Sequence, residues 1–206
     1  NYIKGGKLLP IFKLKHGRNV LHNSIAIIPS DSIIFGEYFG NNAGLPVNIY
    51  KIDFLTMKCR RVYTFPAKAI RHVHSCCYDK FEKKIWVFTG DYDGECKVLV
   101  SDLDFKNVSI LGDGTQTWRA VSAFFTKEYV YWIMDSPLKT SHLVKFNRKL
   151  KEIDVGCSFP GPVYYSVSLS DGKYLVATTY EPGPSVIGNS AHIYLSSDLE
   201  SWEEVC

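Results

Sequence analysis

The chain repeats one pattern four times: a short apolar run that ends in an acid. Ile33-Ile34-Phe35-Gly36-Glu37, Trp86-Val87-Phe88-Thr89-Gly90-Asp91, Tyr131-Trp132-Ile133-Met134-Asp135 and Val176-Ala177-Thr178-Thr179-Tyr180-Glu181 align on their acids. The acids stand 54, 44 and 46 residues apart, within the period at which a four-stranded propeller blade recurs. Elsewhere the apolar residues fall in short runs bounded by Gly, Pro, Asn or Asp, with no sustained 3.6-residue period, which is a strand pattern. Thirteen Tyr and 12 Phe add to it, because flat side chains pack well on a pleated surface.

The expected fold class is therefore all-β, a β-propeller of four-stranded blades, with four units visible that read as part of a larger ring. One domain over 1–206 is expected, with units at about 20–64, 70–111, 117–155 and 163–206. Their strands are placed at about 20–28, 32–37, 46–52 and 59–64; 71–78, 84–90, 96–101 and 106–111; 118–125, 128–134, 141–147 and 151–155; and 163–169, 173–180, 190–196 and 201–206. The segment 8–15 is left as an extra strand, either from a previous blade or closing the last one. A β-sandwich or barrel shares the strand pattern, and the recurring acid favours the propeller.

A formal charge of +3, from 24 Lys and Arg against 21 Asp and Glu, is too balanced to drive phosphate-backbone binding, so no nucleic acid partner is expected. No apolar run reaches the eighteen or so residues needed to span a bilayer. The six cysteines lack C-x-x-C spacing and are sparse for a secreted scaffold. They read as mostly reduced and buried, which favours a cytoplasmic over a secreted setting.

The tail Ser196-Ser197-Asp198-Leu199-Glu200-Ser201-Trp202 resembles the Asp-box of sialidase-like (BNR-repeat) propellers, one residue short and with Glu200 where Gly is usual. Ser101-Asp102-Leu103-Asp104-Phe105 is a weaker echo. Phe35-Gly36-Glu37-Tyr38-Phe39-Gly40-Asn41, Arg71-His72-Val73-His74, Thr89-Gly90-Asp91 and Gln116-Thr117-Trp118-Arg119-Ala120-Val121 are similar to segments of uncharacterised bacterial propellers described as glycosyl-hydrolase-like. The resemblance implies a carbohydrate-active fold. The Arg-Ile-Pro signature of true sialidases is absent, which argues against that activity.

In such a blade the end of the second strand and the start of the innermost strand meet at one mouth of the channel. Glu37, Asp91, Asp135 and Glu181 should converge there with Arg18, Arg71, His72, Trp118, Arg119, Tyr164 and Tyr165. Acids, arginines and aromatic faces suit a glycan or sugar-acid ligand. Glu37, Asp91 and Glu181 are the candidate catalytic groups; Arg71, His72, Trp118, Arg119, Asp135 and Tyr165 the candidate substrate-binding ones. Glu is a poorer turn residue than Asp, which singles out Glu37 and Glu181.

His72 and His74 share one strand face, which offers half of a metal site with Asp91 or an acid–base pair. A packed strand histidine is the commoner outcome, so His72 is read as pocket-lining, His74 as partly buried, and no metal or cofactor is expected. The basic cluster Lys145, Arg148, Lys149 and Lys151 reads as a solvated, edge-protecting feature. The expected function is a carbohydrate-active propeller, a glycoside hydrolase acting on a bacterial or extracellular glycan; the alternative is a non-catalytic propeller binding glycan or protein.

Overall fold

The computed structural model describes residues 2–4, 7–22 and 24–206. A hairpin of β1 (Tyr2–Lys4) and β2 (Lys7–Leu9) precedes four antiparallel four-stranded sheets. The first holds β3 (Ala26–Ile28), β4 (Ser32–Gly36), β5 (Val47–Asp53) and β6 (Cys59–Phe65). The second holds β7 (Val73–Asp79), β8 (Lys84–Thr89), β9 (Cys96–Ser101) and β10 (Val108–Gly114). The third holds β11 (Phe124–Phe125), β12 (Tyr129–Ile133), β13 (Ser141–Asn147) and β14 (Ile153–Phe159), and the fourth β15 (Val163–Ser168), β16 (Tyr174–Thr178), β17 (Ile193–Ser196) and β18 (Glu203–Glu204). Strands lie side by side in chain order in every sheet. This is the blade arrangement of a β-propeller, and the four sheets form an open arc that is part of such a ring. No helix among the described residues is long and apolar enough to cross a membrane.

Burial explains the arc. The middle strands β4, β5, β8, β9, β12 and β13 are buried along most of their length, so both faces of a sheet need cover, whereas β6, β10 and β14 are largely exposed at the outer edge. Three apolar cores supply that cover. Ile34, Ile49, Phe65, Val73 and Leu99 pack between the first two sheets. Trp86, Phe88, Trp118, Trp132 and Phe146 fill the second junction, and Phe124, Leu143, Phe159, Val176 and Leu199 the third. At Gly36 a Cβ would stand 2.4 Å from the Val73 side chain; only glycine permits this approach of the first sheet to the second.

Polar ties repeat along the arc. The Val73 N–H donates to the Glu37 carbonyl (2.9 Å) and the Val163 N–H to the Met134 carbonyl (3.2 Å), each joining the end of a second strand to the next innermost strand. Further out, Lys51 in β5 pairs with Asp104 (3.2 Å), and Lys145 in β13 pairs with Glu200 (2.6 Å). Both acids sit two residues after an aspartate, Asp102 or Asp198, that caps the outer hairpin of the following sheet by accepting backbone N–H bonds. Glu200 therefore has a contact that glycine could not make. Lys145 and Arg148 depart from the solvated reading: Arg148 is buried, donating to the Thr126 carbonyl and pairing with the fully buried Asp79 of the second sheet.

Other expectations shift. Only Leu8 and Leu9 of the extra segment, the end of β2, are strand, and the chain beyond runs irregularly to set Phe12 against Tyr50, ring centroids 4.9 Å apart, over the first sheet. The strand expected over 118–125 starts as a single-turn 3-10 helix, Gln116–Trp118, and pairs only through Phe124 and Phe125, because Trp118 turns inward against Trp132. All six cysteines are unpaired thiols, but only Cys76 and Cys96 are buried; Cys157 and Cys206 are exposed. Asp79→Ala should lower unfolding stability by about 3–5 kcal/mol, since it strands a buried guanidinium. Urea unfolding checks this, and a loss under about 1 kcal/mol would mean the pair is not a sheet-to-sheet tie.

Candidate functional site

The four acids are not equivalent in the structure. Ahead of each innermost strand one carbonyl accepts from the end of the second strand: Asn19 O from the Tyr38 N–H, His72 O from Gly90, Arg119 O from Asp135 and Pro162 O from Thr179. Relative to these, Glu37 comes one residue early, Asp91 one late and Glu181 two late. Side chains of an extended chain alternate, so Glu37 points away from the mouth and Tyr38 takes its place.

Glu37 is wholly buried. Its carboxylate accepts from the Arg18 guanidinium, from Asn48 N–H (2.9 Å) and Nδ2 (3.0 Å), and from the Tyr50 hydroxyl (3.0 Å). Protein donors engage the carboxyl inside the first sheet, away from the cavity, and Arg18 is committed to it. The Tyr50 phenol is pushed up to about 12 by burial and by donating to Glu37.

The other three acids do converge. A cavity of about 580 Å³ is lined by Asp91, Asp135, Glu181, Arg119, His74 and the rings of Tyr38, Tyr92, Tyr164, Tyr165 and Tyr180. The second, third and fourth sheets each supply one carboxyl, from the loop after β8, β12 and β16. Glu181 is exposed and makes no hydrogen bond or ion pair among the described residues. Asp135 is buried, with Arg119 Nε 3.6 Å from Oδ2. Its carboxyl is pushed up to about 8, chiefly by burial, against Arg119 and with the charges of Glu181 and Asp91 adding to the rise.

Asp91 is the most heavily held. Gly90, at φ 130° and with no room for a Cβ against Cys96, turns the chain so that its neighbour reaches the cavity. The Asp91 backbone carbonyl accepts from Arg119 Nη1 and Gln116 Nε2, both at 3.0 Å. Its Oδ1 lies 3.1 Å from His74 Nε2, and 3.4 Å from both His72 Nε2 and Arg119 Nη2; Arg71 Nε is 3.8 Å from Oδ2. Burial by itself would raise this carboxyl, but the hydrogen bonds and charges of His72 and His74 outweigh it and hold it well below the usual carboxylate range. Burial lowers His74, against the pull of Asp91. Tyr164 is pushed up to about 12 by burial and then by Tyr38 and Asp135, so its phenol remains a donor at neutral pH.

Three sequence assignments need correction besides Glu37. His72 lies behind the lining, buried, with Nδ1 2.9 Å from the Phe39 carbonyl and its ring 4.2 Å from that of Tyr38, while His74 is buried too and is the one that lines the cavity. Trp118 is not a ligand platform: its ring is buried in the second core against Trp132. Arg71 does not line the cavity; it stacks over Tyr92 at 4.7 Å. The sequence reading missed Tyr38, Tyr92 and Tyr180. Each adjoins one of the aligned acids, a signal visible in Glu37-Tyr38, Asp91-Tyr92 and Tyr180-Glu181.

No protein-family model matches the sequence, and no curated protein matches it. Solved structures do share its fold. TolB from Acinetobacter baumannii superposes with a TM-score of 0.57 at 14% identity, over 93% of this chain and 44% of its own. An exo-beta-1,3-galactanase from Phanerochaete chrysosporium, solved with beta-1,3-galactotriose, gives 0.59 at 12%, over 92% and 49%. An endo-arabinase from Bacteroides thetaiotaomicron gives 0.51 at 14%, over 91% and 80%. The chain thus spans about half the length of the first two. At these identities the likeness establishes the fold: a β-propeller arrangement of the kind that glycoside hydrolases use.

The placement of Glu37 gives a direct test. Glu37→Gln should cost about 1–3 kcal/mol of stability, because a partly buried guanidinium loses its anion. A sugar that binds the cavity should keep its affinity, and a calorimetric titration showing a tenfold loss would return Glu37 to the site.

Proposed function

We propose that the protein is a carbohydrate-active propeller that hydrolyses a glycosidic bond in this cavity. One observation carries the reading: carboxyls from three successive sheets, Asp91, Asp135 and Glu181, meet Arg119 and five tyrosines around a single space. Glycoside hydrolysis uses two carboxyl groups, one that protonates the leaving oxygen and one that activates water or attacks the anomeric carbon. Asp135, buried and holding its proton, fits the donor; Glu181, exposed and without a partner among the described residues, fits the second role. Asp91 is engaged on every side and positions Arg119 instead. The tyrosines offer ring faces to a sugar's apolar side and hydroxyls to its rim.

The galactanase and arabinase likenesses support a glycan as the ligand class. The Asp198 turn, in which Oδ1 accepts from the N–H groups of Glu200 and Ser201, both at 2.8 Å, supports kinship with Asp-box propellers. A non-catalytic, glycan-binding role is favoured by the commitment of Asp91 to histidines and arginines, which leaves one carboxyl fewer for chemistry.

A panel of chromogenic glycosides separates the two. Turnover by the wild-type protein should fall about 10²–10⁴-fold in kcat in Asp135→Asn and in Glu181→Gln, with ligand affinity largely kept. Sugar binding without turnover on the whole panel would leave the binding role.

A further inference from the structure

Under the cavity floor, three ligand-type atoms face one point. His72 Nε2 and His74 Nε2 are 3.1 Å apart, His74 Nε2 is 3.1 Å from Asp91 Oδ1, and His72 Nε2 is 3.4 Å from it. We propose that His72, His74 and Asp91 bind a divalent first-row transition ion, one per chain, through these three atoms, with zinc as the reference ion. The site is independent of whether the cavity hydrolyses glycans.

The spacing is the first argument. Nitrogen and oxygen ligands about 2.1 Å from one metal at mutual angles of about 90–110° stand about 3.0–3.4 Å apart. All three edges of this triangle fall in that interval. Two imidazoles and a carboxylate are also a donor set suited to such ions.

With both imidazoles neutral, protons alone leave the cluster unsatisfied. A neutral imidazole has one N–H and one lone pair. His72 uses its Nδ1–H on the Phe39 carbonyl, 2.9 Å away, so its Nε2 brings a lone pair. His74 can donate from Nε2 along one edge only. That leaves the His72 lone pair facing the Asp91 carboxylate at 3.4 Å, and His74 Nδ1 buried without a hydrogen bond. A cation at the centre removes the first fault, because all three atoms turn electron pairs to it, and it places the His74 proton on Nδ1, on the side of Asp135 Oδ2.

One outer-shell bond is in place and the acceptor for the second stands nearby. Metal-bound histidines donate their other N–H to a carbonyl or carboxylate. For His72 the acceptor is the Phe39 carbonyl; for His74 it is Asp135, whose Oδ2 lies 3.8 Å from Nδ1 and whose Oδ1 is likewise buried without a partner. Both side chains are at least nine-tenths buried, at 4% and 3% exposure, so the rings are fixed before any ion arrives. Arg119 Nη2, 3.4 Å from Asp91 Oδ1, shares that oxygen, and its charge weakens the site.

The probe is Zn²⁺ alone, added to chelator-stripped protein. Calorimetry should show one saturable site with a Kd below about 100 µM. His72→Gln, His74→Gln and Asp91→Asn should each weaken it by about 100-fold or more, and Asp135→Asn by about 10–100-fold. X-ray absorption of the wild-type zinc form should show two imidazole nitrogens and no sulfur, a readout that stands even if a variant fails to fold. The proposal is overturned if the wild-type protein binds no zinc saturably, if sulfur enters the shell, or if the folded variants bind as tightly as the parent.

Discussion

The constraint on which this molecule depends is that its middle strands are apolar on both sides. A four-stranded sheet with β8 and β9 buried on both faces cannot sit on one core; it must lie between two others. Repeating that demand lines the sheets up face to face, and short links between them draw the first strand of each to the inside. His22 against Tyr164 and Tyr165, with ring centroids 4.9 Å apart, shows how near the innermost regions of the first and fourth sheets come. Residues distant in sequence are thereby gathered at one mouth.

Within that frame the chemistry is decided by single-residue offsets. Asp135 stands where the backbone bonds to Arg119, Asp91 one position later and Glu181 two later, so each approaches the cavity from a different direction and meets a different surrounding. Asp91 falls among histidines and arginines and loses its proton readily; Asp135 falls into a buried slot and keeps it. Two chemically similar groups on one guanidinium thus behave in opposite ways, which is how folded proteins divide acid and base roles.

Much of the architecture could be read from the residues, because strand alternation and turn residues are local signals. The short runs around Trp86 and Trp132 mark β8 and β12 without reference to anything distant. The site was legible only in part. Aligning acids by sequence gave Glu37 the same standing as Asp91, whereas the backbone pairing that fixes side-chain direction depends on a partner strand that a linear reading does not contain. Trp118 failed for a related reason: an aromatic before an innermost strand could face the mouth or the neighbouring sheet, and the space against Gly112, where a Cβ would meet the indole at 2.3 Å, decides it. The adjacent tyrosines were visible in the sequence, yet nothing local distinguishes a lining ring from a core one.

The two lysine–acid contacts have a mechanical meaning. Backbone bonds fasten neighbouring sheets near the axis at Val73 and Val163, while Lys51 with Asp104 and Lys145 with Glu200 fasten the same junctions near the circumference. A leaf hinged at one radius can swing; one clamped at two cannot. The first and third junctions therefore act as stiff joints, and the seam between the second and third sheets is held differently, by the buried Arg148–Asp79 pair and by Arg119 reaching for Asp91.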